Sequence, residues 1–290
     1  MIEKQVAILL TCHNRKETTI NCLHRLSELK YEADIYCVDD ASTDGTAEAI
    51  NISFPTINLI RGNGDLFWSR GMNYAWRSAY SHKEYDFYIW LNDDVFLYDI
   101  AFKELFECSR LNNDNAVISG IIQGKRSGNV IYGGFDNQHR LIAPTGRMEI
   151  ISNLNGNFVL IPKNVFNTVG FIDPVYHHDI GDVDYGLMAK EKGIAVLTTR
   201  CFVASSEESL KSKNSRIRKD GVSILERFKR LKSPLGAPLR IHFHFIRKHY
   251  GWLKACAYSF YLILINIISD RMYHRLIAIT KHKLVEGDSL

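Results

Sequence analysis

Tyr88-Ile-Trp-Leu-Asn92-Asp93-Asp94-Val-Phe-Leu97 decides the fold. The run from Phe87 to Leu91 is apolar at every position, the pattern of a strand covered on both faces. It stops on Asn92, Asp93 and Asp94. Three oxygen-bearing side chains at the end of a buried strand cost free energy unless a partner uses them. Adjacent carboxylates also repel, and a divalent cation held by hard oxygen ligands relieves the repulsion. Two readings stand at this point: a polar turn closing a strand, or a metal and phosphate site.

The same unit recurs upstream. Val6 to Leu10 is an apolar run followed by Thr11-Cys12-His13-Asn14, with Asn14 and Glu17 spaced as a capping box. Ile20, Leu23, Leu26 and Leu29 then recur at helical spacing. Ile35 to Val38 is a second strand, and the turn-rich Asp39-Asp40-Ala-Ser42-Thr-Asp44-Gly45-Thr46 after it predicts a helix from Thr46. Ile57 to Ile60 is a third strand, followed by the loop Gly62-Asn63-Gly64-Asp65 and a helix with Met72, Ala75, Trp76 and Ala79 on one face. Alternating strands and helices predict an α/β, Rossmann-like, mostly parallel central sheet flanked by helices. Asp39-Asp40 and Asn92-Asp93-Asp94 both fall at C-terminal strand ends, where open α/β sheets bind ligands. No G-x-G-x-x-G follows the first strand and no G-x-x-x-x-G-K-[ST] is present, which argues against a dinucleotide binder and a P-loop kinase.

Beyond Leu111 the pattern changes. Val117 to Ile122, Val130 to Gly134 and Phe158 to Ile161 read as short strands of a mixed or antiparallel half that completes the sheet. A helix is expected from Asp182 to Lys192, ended by Gly193, then a strand at Ile194 to Leu197. Ser205 to Lys219 reads as a loop. Two domains are expected, 1–205 and a basic, partly apolar helical extension over 206–290. The net charge of +4 hides an asymmetry: residues 211–283 hold 17 Lys/Arg and three Asp/Glu, the remainder 19 and 29. Such a tail suits an anionic partner, a membrane surface or a nucleic acid. Trp252 to Ser269 has Lys254 as its only charge, but Ser259 and Asn266 interrupt it, which favours a helix in or on a membrane over a span. Met1-Ile-Glu-Lys-Gln leads into the first strand without a signal-peptide pattern, and six scattered cysteines without a C-x-x-C pair suit a reducing compartment.

Together these residues fit metal-assisted transfer of a group from a nucleoside diphosphate. Asp39 or Asp40 is a candidate acceptor of hydrogen bonds from base or ribose. Asp94, backed by Asp93 and Asn92, is a candidate ligand for Mg²⁺ or Mn²⁺, acting as a Lewis acid toward the departing diphosphate. A separate carboxylate must deprotonate the attacking hydroxyl. Asp182 is the candidate at a loop-to-helix junction, with Asp179 and Asp184 as alternates. Trp68 reads as a stacking surface or as core, and Arg70 as a diphosphate ligand or a surface arginine. His177 and His178 flank the proposed base and are acceptor-site candidates.

The order of Thr11-Cys-His-Asn14-Arg15, Val38-Asp39-Asp40-Ala-Ser42-Thr-Asp44-Gly45-Thr46, Trp90-Leu-Asn92-Asp93-Asp94 and Gly181-Asp182-Val-Asp184-Tyr185-Gly186 resembles the inverting GT-A-fold glycosyltransferases of family 2. The likeness is to their bacterial rhamnosyltransferase-like members, and Gly62-Asn-Gly64-Asp65-Leu-Phe67-Trp68-Ser-Arg70-Gly71-Met72 is similar to a stretch of that subgroup. It covers about residues 5–205. The resemblance implies that Asp94 holds the metal, that Asp39 and Asp40 lie near the nucleotide, and that Asp182 is the general base. Thr11, Asn14, Arg15, Asp65, Trp68, Arg70 and Asp93 are candidate donor contacts beside these, and His177, His178 and Asp184 are candidates for the acceptor side. Gly181 stands where the family's usual acidic residue precedes the base, and Ser205-Ser206-Glu207-Glu208 where some relatives carry a histidine.

The implied partners are a dTDP- or UDP-linked sugar donor, a polyprenyl-diphosphate-linked glycan acceptor of bacterial surface polysaccharide synthesis, and a membrane surface met by the extension. The implied location is cytoplasmic, peripheral on the inner membrane. A nucleotidyltransferase is the alternative, although Thr11-Cys-His-Asn14-Arg15-Lys16 lacks the glycines of a triphosphate loop. A nucleic-acid binder is a third reading resting on the basic tail alone. No RNA-module signature accompanies it, so no nucleic-acid partner is expected.

Overall fold

The computed structural model describes residues 4–208 and 214–276, which divide into two compact units, Met1–Glu208 and Ser209–Leu290. In the first unit β1 (Val6–Cys12), α1 (Lys16–Glu28), β2 (Asp34–Asp39), α2 (Thr46–Ser53), β3 (Asn58–Arg61), α3 (Phe67–His82) and β4 (Phe87–Leu91) alternate. Their strands pair in parallel in the order β3-β2-β1-β4. The all-apolar runs fill both faces. Val6, Ile8 and Leu10 of β1 join Leu23 and Leu26 of α1 on one side, while Ala7 and Leu9 join Met72, Ala75 and Trp76 of α3 on the other. Trp76 and Trp90 are fully buried, and truncating either to alanine is expected to cost about 3–5 kcal/mol.

The second half is mixed, as its sequence suggested. It comprises β5 (Phe96–Leu97), α4 (Ala101–Leu111), β6 (Ala116–Gly124), β7 (Val130–Tyr132), β8 (Gly134–Phe135), β9 (Asn153–Leu154), β10 (Phe158–Pro162), α5 (Lys163–Val169), α6 (Gly181–Glu191) and β11 (Ala195–Ser206). β10 lies antiparallel between β4 and β6, β11 runs parallel to β6, and β5 closes the edge antiparallel to β11. Pairing β10 beside β4 puts Asn157, just before β10, against the end of the opening stretch: the Asn92 N–H donates to Asn157 O at 2.9 Å.

Two local expectations change. Asn14 does not cap α1. It adopts φ 50° and its Oδ1 accepts the Thr43 N–H at 2.7 Å, a tie between neighbouring loops that a helix cap would forgo. The expected loop over 205–219 is also shorter: Ser205 and Ser206 finish β11, α7 (Asn214–Ile217) follows, and 209–213 lie outside the described residues.

The second unit adds α8 (Ile224–Arg230), α9 (Leu239–Tyr250) and α10 (Trp252–Ile267). Its carbonyl ends are capped by arginine. Buried Arg218 and Arg227 both donate to Ile268 O, at 3.2 and 3.0 Å, and both pair with Asp270. Cations there satisfy orphan carbonyls and oppose the helix dipole. At 16 residues α10 spans about 24 Å, short of the roughly 30 Å hydrocarbon core. No helix among the described residues is long and apolar enough to cross a membrane. Yet Leu253, Phe260, Leu264 and Ile267 of α10 are exposed at helical spacing, Leu253 by 84%.

Candidate active site

Two loops at the C-terminal rim are clasped together. The Asn14 N–H donates to Ser42 Oγ at 2.8 Å, and the Lys16 N–H to Asp44 Oδ2 at 3.0 Å. Asp39 is fully buried and paired with Arg61 at 2.6 Å, while its other oxygen accepts the Ser42 N–H. Asp40 accepts three backbone N–H groups, from Gly64 at 2.7 Å and from Leu66 and Phe67 at 2.9 Å each. It thereby folds the Gly62–Phe67 loop and aims the first turn of α3. Gly62 is required there, since a Cβ would stand 2.6 Å from Asp40 Oδ1. Thr11 lies against α3, its Oγ1 2.3 Å from where a Cβ on Gly71 would stand.

The opening stretch sits beside this loop. Asn92 Oδ1 accepts the Trp68 indole N–H at 2.6 Å. Asp93 is buried, paired with Arg15 at 2.9 Å and bonded by the Thr19 hydroxyl at 3.0 Å. Burial pushes its carboxyl up to about 6 despite Arg15, and Asp94 adds to the rise. Asp94 is less buried. Its Oδ2 meets Arg15 at 3.1 Å, but its Oδ1 is inaccessible and has no hydrogen-bond partner. Among the described residues no group of three or more His, Cys, Asp or Glu forms a ready-made cation site. One unsatisfied hard oxygen beside a second carboxylate fits a cation whose other ligands come from a diphosphate and water.

Asp182 joins this assembly through Gly156. Asp182 Oδ2 accepts the Gly156 N–H at 2.8 Å, and a Cβ on Gly156 would stand 2.4 Å from Trp68 Cη2. Asn92, Trp68, Gly156 and Asp182 therefore form one contiguous chain of contacts from the end of β4 to the start of α6. Burial pushes the Asp182 carboxyl up to about 6, the two backbone N–H groups it accepts pull it down, and Asp179 pushes it further up. Gly181, in the place of an acidic residue, packs on α3: a Cβ there would stand 2.5 Å from Ser69 Oγ.

The remaining candidates divide. His177 and His178 lie over the start of α3, where their carbonyls accept the Ser69 N–H at 2.7 Å and the Ser69 hydroxyl at 3.2 Å. Both imidazoles face the Phe67 ring with centroids 6.3 Å apart. Arg70 donates to Pro174 O at 2.9 Å and stands 3.7 Å from exposed Asp65, so it holds the loop before α6. Asp184 is fully buried and accepts the Tyr176 hydroxyl at 2.8 Å, so its carboxylate faces the interior. The sequence did not single out Gly156, Thr19 or Arg61 for the site. Gly156 contributes a backbone N–H and the space for an indole, neither of which a side-chain pattern shows.

Residues 7–171 match the family described as Glycosyl transferase family 2. The chain belongs to that family. The match ends before Asp182. The fold is similar to the crystal structure of S. aureus TarS, with TM-score 0.54 and 12% identity over 86% of this chain and 44% of that one. It is also similar to S. aureus TarS 1–349 in complex with UDP-GlcNAc, with TM-score 0.53 and 14% identity over 90% and 82%. The chain spans less than half the length of the whole TarS chain. At such identities the likeness shows the fold, which is of the GT-A type. No curated protein matches the sequence.

Proposed function

We propose that this family 2 glycosyltransferase is a metal-dependent, inverting enzyme. It moves a sugar from a dTDP- or UDP-linked donor to a hydroxyl of a lipid-linked glycan acceptor, at a membrane surface of the cytoplasmic compartment. The observation that carries the reading is the contact chain joining Asn92-Asp93-Asp94 to Asp182 through Trp68 and Gly156. The reading takes the unpartnered Asp94 oxygen for a cation ligand and Asp182 for the proton acceptor, and this chain of contacts supports it. Mg²⁺ or Mn²⁺ on Asp94 would supply charge neutralisation to the leaving diphosphate.

In this reading Asp182 takes the proton of the acceptor hydroxyl. The freed oxygen attacks the anomeric carbon on the face opposite the diphosphate. The bond from that carbon to the β-phosphate oxygen breaks, and nucleoside diphosphate leaves. A carboxyl near 6 is mostly ionised at pH 7 yet more basic than an ordinary aspartate, which suits a general base. Asp40 and Arg70 shape the loops around the donor, and Trp68 holds the stretch against Asp182. UDP-GlcNAc bound to the similar TarS fold supports a nucleotide-sugar donor.

Membrane docking is supported by the exposed apolar face of α10 beside a basic sequence, each basic residue near an anionic surface contributing roughly 1 kcal/mol. Leu253→Glu with Phe260→Glu is expected to release the protein from anionic liposomes in sedimentation. For the chemistry, a panel of nucleotide sugars is incubated with acceptor and with or without divalent cation. The expected result is cation-dependent nucleoside diphosphate release with an inverted product. Pyrophosphate release in its place would make the protein a nucleotidyltransferase and end the proposal.

A further inference from the structure

The helical unit contains a pocket of about 630 Å³, within the size range of ligand sites. Phe228 and Leu231 of the α8 region, Phe243 of α9 and Ile263 of α10 form its wall. Two cations, Lys232 and Arg240, stand among this apolar lining, and both are exposed. Ser259 lines it too, with an inaccessible hydroxyl oxygen that has no hydrogen-bond partner.

We propose that this pocket binds one hydrocarbon chain of an anionic membrane lipid, with the lipid phosphate held by Lys232 and Arg240. Three features favour that occupant. The wall is hydrocarbon and aromatic, so it takes a chain rather than a sugar. The two charges are both positive, so they complement a phosphate. Ile263 of the wall stands on α10 between Phe260 and Leu264, which are both exposed, so the pocket and the exposed apolar face share one helix. Surface docking alone needs no pocket, so one captured lipid adds a specific, saturable site to the membrane reading on which this inference rests.

The probe is decyl phosphate below its micelle concentration, titrated calorimetrically into the full-length protein. Saturable one-to-one binding is expected, with decyl maltoside roughly tenfold weaker or worse and inorganic phosphate silent. Lys232→Glu with Arg240→Glu is expected to weaken decyl phosphate by roughly tenfold or more. Ile263→Trp, which fills the pocket, is expected to abolish binding. The double charge variant lies on the surface and keeps the test valid should Ile263→Trp lose its fold. Equal affinity for decyl maltoside, or unchanged affinity in the charge variant, overturns the proposal. So does binding that emerges only in Ile277→Asp with Ile279→Asp, because the chain's own C-terminal segment is then the occupant. A dimer that decyl phosphate does not dissolve makes a second copy the occupant and overturns it as well. Liposome sedimentation in parallel separates the two ideas. Decyl phosphate binding without liposome binding ends the membrane reading alone, and the reverse ends the pocket alone.

Discussion

Two aspartate pairs lie on the same rim of one sheet, each at the C-terminal end of a buried strand, and their surroundings differ. In Asp39-Asp40 every carboxylate oxygen has a partner: Arg61 and the Ser42 N–H on the first, three loop N–H groups on the second. In Asp93-Asp94, Arg15 and Thr19 satisfy three oxygens and Asp94 Oδ1 is left over. A carboxylate that accepts backbone N–H groups builds a loop. A carboxylate with a buried unpartnered oxygen carries a cost that a bound cation or water removes. The first pair is thus the frame of the Gly62–Phe67 loop and the second is the place where chemistry is expected.

The widest gap between the pairs is expected in activity. Asp94→Ala should lower kcat by about 10³-fold while leaving the melting temperature unchanged or higher, since it removes repulsion with Asp93. Activity assays beside calorimetry check this, and a cation-dependent Asp94→Ala enzyme would erase the distinction. Asp40→Asn should show the reverse pattern. It replaces a charge that accepts three N–H groups with an amide that accepts from one side only, at a cost of about 3 kcal/mol. Nucleotide-sugar binding should weaken only as far as the loop unfolds, which proteolysis at Gly62–Phe67 would report.

A third test uses pH. If Asp182 is the base, log kcat/KM should fall with unit slope below about pH 6 and level off above it, because only the ionised carboxylate accepts a proton. Asp182→Asn should remove this limb along with about 10²–10⁴-fold of the rate. For stability the sign is opposite. A carboxyl held above its ordinary value binds its proton more tightly in the folded state, so it favours folding below about pH 4 and loses that contribution as pH rises through 6. An enzyme that is slower but more stable at pH 5 than at pH 7 would fit both signs for this group.

Much of this was legible in the chain. The apolar runs of β1, β2 and β4 and the helical spacing of α1 and α3 state a doubly covered parallel sheet, because burial on both faces leaves no other pattern. The acidic clusters at strand ends state the ligand rim. What stayed hidden was partnership. Nothing local distinguishes Asp40 from Asp94, since the N–H groups that occupy Asp40 come from 24 to 27 positions away. Asp184 reads like Asp182 two residues earlier, but helical geometry turns one to the interior and Tyr176 while the other meets Gly156. Gly156 and Gly181 contribute by lacking a Cβ, and only the structure says what would collide. The exposed apolar face of α10 was present as hydrophobicity, but whether that face was core or surface depends on packing against α9.

The smallest effect discriminates most finely, because Arg15 touches both members of the second pair. Arg15→Gln removes ion pairs at 2.9 and 3.1 Å from a side chain that is itself 43% exposed, so water already screens the interaction and the loss in cation-free stability should be only about 1 kcal/mol. Its consequence for the cation separates two roles. If Arg15 occupies Asp94 as a stand-in for a cation, its removal should raise the stabilisation that Mn²⁺ confers in thermal melts by a few degrees. If Arg15 instead orients Asp94 toward the cation, the same change should lower that stabilisation. The first outcome is expected, because Arg15 engages Asp94 Oδ2 and leaves Oδ1 without a partner, the arrangement of a counter-charge and not of a full ligand shell.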